Sequence, residues 1–157
     1  MITTRDIDRS VSLITGISEA DIHSTSQKEK VKDARNLAML KCKEHFKLSD
    51  RKLCKIYGKS SRSTIMNAIK NAKNLIETDA QARDRALRIE NLIQERKIEL
   101  ETKRLYNLHY RIRQKGFHLD TQSKTVSIRP DQEDILRKGQ LLKLIKEHGY
   151  NVQYAII

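Results

Sequence analysis

A chain of 157 residues with 32 Lys and Arg against 20 Asp and Glu carries a formal net charge of +12, and an excess of that size favours a polyanionic partner. The length holds one or two small domains and excludes a large enzyme with a separate cofactor domain. With aromatics at 4%, no Trp and two Phe, a core has to be assembled from Leu, Ile, Val, Ala and Met, which predicts a mainly α protein. No run approaches the roughly 20 apolar residues of a membrane helix, and the charged start MITTRDIDRS lacks a signal-peptide core. The expected setting is cytoplasmic, away from any membrane. Cys42 and Cys54 are too few for a disulfide framework or a cysteine-rich zinc site and read as small buried apolar groups.

In chain order, Ile7, Val11 and Ile14 lie on one face of a first helix, with Thr3 and Asp6 spaced as a capping box and Gly16 as its stop. Ser18 and Asp21 repeat the box and open a short second helix through His23. Ser26 and Glu29 repeat it again before a longer helix whose buried face is Val31, Ala34, Ala38 and Cys42, flanked by Leu37 and Leu40. The stretch LSDRKLCKIYGKSSRSTIMNAIK, residues 48–70, then reads as helix, tight turn, helix. Ser49 caps a helix burying Leu53 and Ile56, Gly58 supplies a position that tolerates positive φ, and Ser60 or Ser61 caps a second helix burying Ile65, Ile69 and Ala72. That second helix presents Arg62, Ser63, Met66 and Asn67 near its N-terminus, where a recognition helix meets base edges in the major groove.

Residues 79–115 are charged and mixed in sign, with Ala86, Ile89, Ile93, Leu100, Leu105, Leu108 and Ile112 at helical spacing. They predict one long connecting or coiled-coil helix ended by Gly116, although its apolar seam slips out of a regular heptad. A segment so polar needs a cover: its own tail, a second copy in a homodimer, or another protein. FHLD (117–120) and TVSIR (125–129) alternate and predict a β-hairpin. Pro130 opens a helix carrying Ile135, Leu142 and Ile145 on its buried face to a stop at Gly149. The final YNVQYAII is a third strand or a docked apolar tail. The division predicted is therefore 1–78, a helix-turn-helix domain; 79–116, the long helix; and 117–157, a small α+β element.

The charge is unevenly spread. Residues 22–74 hold fourteen basic side chains and four acidic ones, a net of +10, and the other 104 residues share +2. A surface built only for solubility is not expected to segregate charge this way. The concentration coincides with the helix-turn-helix pattern, which predicts binding to double-stranded DNA with a steep salt dependence.

On these residues the first half resembles the C-terminal DNA-binding domain of the bacterial replication initiator DnaA, a helical domain related in fold to the Trp repressor. DARNLAMLKCKE (33–44) looks like the family's helix with an Arg-Gln pair and an Ala-Met repeat. LSDRKLCKIYGKSSRSTI (48–65) looks like its signature, in which an aromatic-Gly turn precedes Arg-Asp-His-Thr-Thr-Val. The likeness runs over about residues 7–72. It implies that Arg35 and Asn36 occupy the Arg-Gln positions near the duplex. It implies also that Ser61, Arg62, Ser63 and Thr64 occupy the base- and phosphate-contacting run. Arg62 replaces His, Ser61 replaces Asp and Asn36 replaces Gln, and the loop HSTSQKEK has Gln27 where the family has Arg.

The DNA-binding set expected is Lys28, Lys30, Arg35, Asn36, Lys59, Ser61, Arg62, Ser63, Thr64 and Asn67. Arg62 can take guanine O6 and N7 bidentately or a phosphate, Ser63 and Thr64 a phosphate or a thymine methyl, and Asn67 adenine. The serines serve equally as helix caps. No GxxxxGK loop followed by Ser or Thr, HExxH or GxSxG occurs, and the five histidines have no metal-ligand spacing, so neither catalysis, nor a cofactor, nor a metal is expected. The leading expectation is a sequence-preferring duplex-binding protein. Its role would be regulation of transcription, or replication as an accessory without the ATPase, in a phage or mobile element. An assembly or adaptor protein acting through the long helix is the alternative, and the shortage of aromatics counts against RNA.

Overall fold

Four of the first five helices start where a side chain accepts from a free backbone N–H. The computed structural model describes residues 1–137 and 140–155, in two compact units, Met1–Ile98 and Glu99–Ile157. In the first unit, α1 (Thr4–Thr15) starts on the Thr3 capping box, with Asp6 Oδ2 accepting from the Thr3 N–H at 2.8 Å, and stops at Gly16 with φ 70°. Ser18 caps α2 (Glu19–His23).

The third expected box does not form. α3 spans Glu29–Phe46, and its N-cap, Lys28, makes no side-chain cap bond. The serine hydroxyls before it fold the chain instead: Ser24 Oγ accepts from the Ser26 N–H and Ser26 Oγ from the Lys28 N–H, the local competition these side chains offer a helix start. From Ala34 to Leu40 every residue of α3 is buried, because this helix is the axis on which α1, α2 and α5 pack.

α4 (Asp50–Ile56) is capped by Ser49 and α5 (Arg62–Thr78) by Ser61. On α5, Ile65, Ala68, Ile69 and Ala72 form the buried stripe that helical periodicity requires. α6 runs unbroken from Ala80 to Gln114. Residues 80–98 bury Ala82, Ala86, Ile89 and Ile93 in the first unit.

In the second unit Leu108 and Ile112 of α6 enter a core with Phe117, Val126, Ile128, Leu136, Leu141, Ile145 and Tyr150. The chain's own tail therefore covers this half of the helix. Gly116 (φ 70°) ends the helix. β1 (His118–Asp120) and β2 (Thr125–Ile128) form the expected antiparallel hairpin, and β3 (Asn151–Tyr154) joins β2 in parallel, placing Val152 opposite Val126. The strand alternative for the tail is thus the one realised, over Asn151–Tyr154. The expected single helix from Pro130 is instead a 3-10 turn (Pro130–Gln132), α7 (Glu133–Arg137) and α8 (Leu141–Glu147). Because the helix restarts at Leu141, the buried face becomes Leu136, Leu141 and Ile145, leaving Ile135 exposed. Residues 138, 139, 156 and 157 lie outside the described set. The fold is mainly α, as the composition predicts.

Candidate nucleic-acid interface

The geometry of the α4–α5 connection follows from Gly58. Its φ of 60° lets the Lys59 N–H reach back to the Cys54 carbonyl at 2.8 Å, closing α4 in a Schellman turn. A Cβ at residue 58 would meet no atom within 4 Å, so the requirement for glycine is one of backbone conformation alone. Ser61 then caps α5, its Oγ accepting from the Thr64 N–H at 3.3 Å. The Ser63 and Thr64 hydroxyls both lie 2.9 Å from that same Oγ. Three hydroxyls are thus gathered at the start of α5, while Arg62, Met66, Asn67 and Lys70 point to solvent and Ile65 faces the core.

Beneath the turn lies a polar cluster that sequence reasoning did not find. Tyr57, the C-cap of α4, donates its hydroxyl to buried Asp8 Oδ1 at 2.7 Å. His23 Nε2 sits 2.9 Å from Asp8 Oδ2, its ring stacked on Tyr57 at 5.0 Å. Cys42 Sγ is 3.2 Å from the Tyr57 hydroxyl, and burial pushes this thiol up to about 12. Four helices, α1 to α4, thereby hold the turn in place. The one signal for it in the sequence is Asp8 beside the apolar face of α1.

The expected contact residues separate into two groups. Lys28, Lys30, Arg62, Ser63, Thr64 and Asn67 are exposed, and Ser61 and Lys59 partly so. Arg35 and Asn36 are instead buried, 3% and 6% exposed. Adjacent helical residues point about 100° apart, and the pair diverges accordingly. The Arg35 guanidinium donates to the Ile22 carbonyl at 2.8 Å, to Ser26 O at 3.2 Å and to Asp21 O at 3.3 Å, clasping the α2–α3 loop. Asn36 lines a cleft of about 300 Å³ with Lys30, Asp33, Leu37, Ile76 and Arg85. Lys59 stays close to Arg35: burial, and then the guanidinium charge, push its ammonium below the ordinary lysine value.

Cations of the first unit differ in their partners. Lys41 is held by Glu90 at 3.0 Å and Glu44 at 3.1 Å, and Lys43 by Asp50. No carboxylate among the described residues pairs with Lys28, Lys30, Arg51, Lys52, Lys55, Lys59 or Arg62. Nor, among the described residues, do three His, Cys, Asp or Glu side chains gather as metal ligands, and no helix is long and apolar enough to cross a membrane.

A short capped helix, a glycine turn and a second helix whose first turn is basic and uncovered define a helix-turn-helix domain. Comparison with known proteins agrees. Residues 4–72 match the family model described as bacterial dnaA protein helix-turn-helix, and this segment is a helix-turn-helix domain of the DnaA C-terminal type. The chain is 31% identical over 97 residues to the chromosomal replication initiator protein DnaA of Bacteroides fragilis, covering 62% of this chain and 20% of that protein. It is 28% identical over 95 residues to the protein of the same name from Bacteroides thetaiotaomicron, covering 60% and 20%. The chain spans about a fifth of the length of these curated relatives.

Proposed function

We propose that this protein binds double-stranded DNA with sequence preference, placing the first turn of α5 in the major groove. The observation that carries the reading is the uncovered start of α5, where Arg62 and Ser63 in the first turn and Asn67 in the second face solvent beside cations that have no carboxylate partner. Arg62 has the length and planar donor fork for guanine O6 and N7. The Ser61, Ser63 and Thr64 hydroxyls carry three protons, two of which close the bonds between them, so one hydroxyl is left to donate to a phosphate oxygen. Lys28, Lys30 and Lys59 add sequence-independent attraction. Arg35 acts as a positioning residue, fixing the α2–α3 loop that carries Gln27 and Lys28. Asn36 is left out of the contact set because it is buried.

The biological setting that fits is regulation or replication on DNA, with a phage or mobile element as the proposed source. An adaptor role through the long helix is the weaker reading, since both halves of α6 already have apolar partners within the chain. Anisotropy titrations of labelled duplexes test the proposal. A selected duplex should bind far more tightly than random sequence, and Arg62→Ala should erase that difference. Equal binding of all duplexes by the unaltered protein, or none, would reject it.

A further inference from the structure

We infer that the second unit carries a separate site for single-stranded nucleic acid on the exposed face of α6, built on Tyr106 and Tyr110. These two rings are one helical turn apart on one face and are 71% and 56% exposed. The opposite face of the same turns, Leu108 and Ile112, is the one buried in the core, so the rings are not needed for packing. Lys103 and Arg113, three residues before and after the pair, extend the stripe with a cation at each end. Lys103 is tied to Glu99 at 2.6 Å, whereas Arg113 pairs with no carboxylate among the described residues.

The unpaired charge around the rings lies on their C-terminal side: Lys103 and Arg104 pair back to Glu99 and Glu101, whereas Arg111, Arg113 and Lys115 pair with no carboxylate among the described residues. Residues 102–115 contain Lys103, Arg104, Arg111, Arg113 and Lys115 and no carboxylate, a second concentration of positive charge outside residues 22–74. Exposed aromatics interleaved with cations are what unstacked bases on a phosphate backbone require. In a duplex the base faces are covered by their neighbours, and the rings would find nothing to stack on. A protein partner is the poorer fit, because Asn107 and Gln114 flank the rings where an apolar docking stripe would carry Leu or Ile. The site lies outside residues 4–72 and stands independently of the duplex reading.

Labelled dT20, labelled rU20 and a 20-base-pair duplex, titrated against the full chain, test the inference. Tyr106→Ala with Tyr110→Ala should weaken binding to at least one of the single strands by about tenfold or more, and the strand that responds identifies the ligand as DNA, RNA or both. Duplex affinity should stay within about twofold, and Tyr106→Phe with Tyr110→Phe should bind like the unaltered protein, since a phenyl ring stacks equally well. Arg113→Gln supplies a second variant, expected to lower the salt dependence of single-strand binding by about one counterion. Unchanged affinity for both single strands in the double Ala variant would overturn the inference, as would an equal loss on the duplex. A dimer in sedimentation that the double Ala variant abolishes, with single-strand affinity intact, would assign the stripe to self-association instead.

Discussion

The second half of α3 and the α4–turn–α5 segment are both rich in lysine, yet they use it differently. On α3, Lys41 lies between Glu44 and Glu90, with His45 also 3.1 Å from Glu90, so its charge is spent joining α3 to α6. Around the turn, Lys59 and Arg62 have no such partner among the described residues. The difference teaches that a count of basic residues overstates the surface available to a polyanion. What matters is which cations are left without a carboxylate.

The comparison breaks most severely at Arg35, a cation belonging to neither set. Arg35→Ala removes the side-chain donor to the Ile22 carbonyl of α2 and to the Ser26 carbonyl of the α2–α3 loop, and a loss of about 3 kcal/mol is expected in urea unfolding, accompanied by weaker duplex binding as the α2–α3 loop loosens. Full stability in that variant would remove the clasp from the account. Next comes Arg62→Ala, expected to cost about 2 kcal/mol in discrimination between a selected and a random duplex with little change in unfolding midpoint.

A smaller effect belongs to Glu90. Burial pushes its carboxyl up, but hydrogen bonds from Gln94, Lys41 and His45 and the Lys41 charge outweigh this and hold it at about 2 against an ordinary 4.5. A folded value below the unfolded one stabilises above about pH 4.5, and that contribution is lost as pH falls toward 2. Glu90→Gln should therefore be less stable by about 1–2 kcal/mol at pH 7, after allowance for solvent screening. Thermal unfolding of the two proteins should converge between pH 4.5 and 2, and a difference independent of pH would exclude this origin.

Much of the fold was legible because its signals are local. Thr3 with Asp6, Ser49, Gly58 and Ser61 each mark a helix end through bonds spanning at most five residues, and the apolar spacing on α5 is unambiguous. The start of α3 was misread because Ser26 spends its hydroxyl on the Lys28 N–H and its carbonyl on Arg35. The break between α7 and α8 changes which of Ile135 and Leu136 is buried, a choice that periodicity over one continuous helix decides wrongly. The exposed residues of the turn were legible for the same reason as the caps. The burial of Arg35 was not, because its acceptors are up to 14 residues away, nor was the Tyr57 bond to Asp8, which spans 49.

The central claim is that the unpaired cations of the turn, and not the paired ones on α3, meet DNA. Its most direct test is duplex affinity as a function of salt for the unaltered protein, Lys59→Ala and Lys41→Met. The account predicts a linear fall of log K with log salt, a slope smaller by about one in Lys59→Ala, and the original slope in Lys41→Met. Binding that ignores salt, or a slope that changes in Lys41→Met and not in Lys59→Ala, would contradict it.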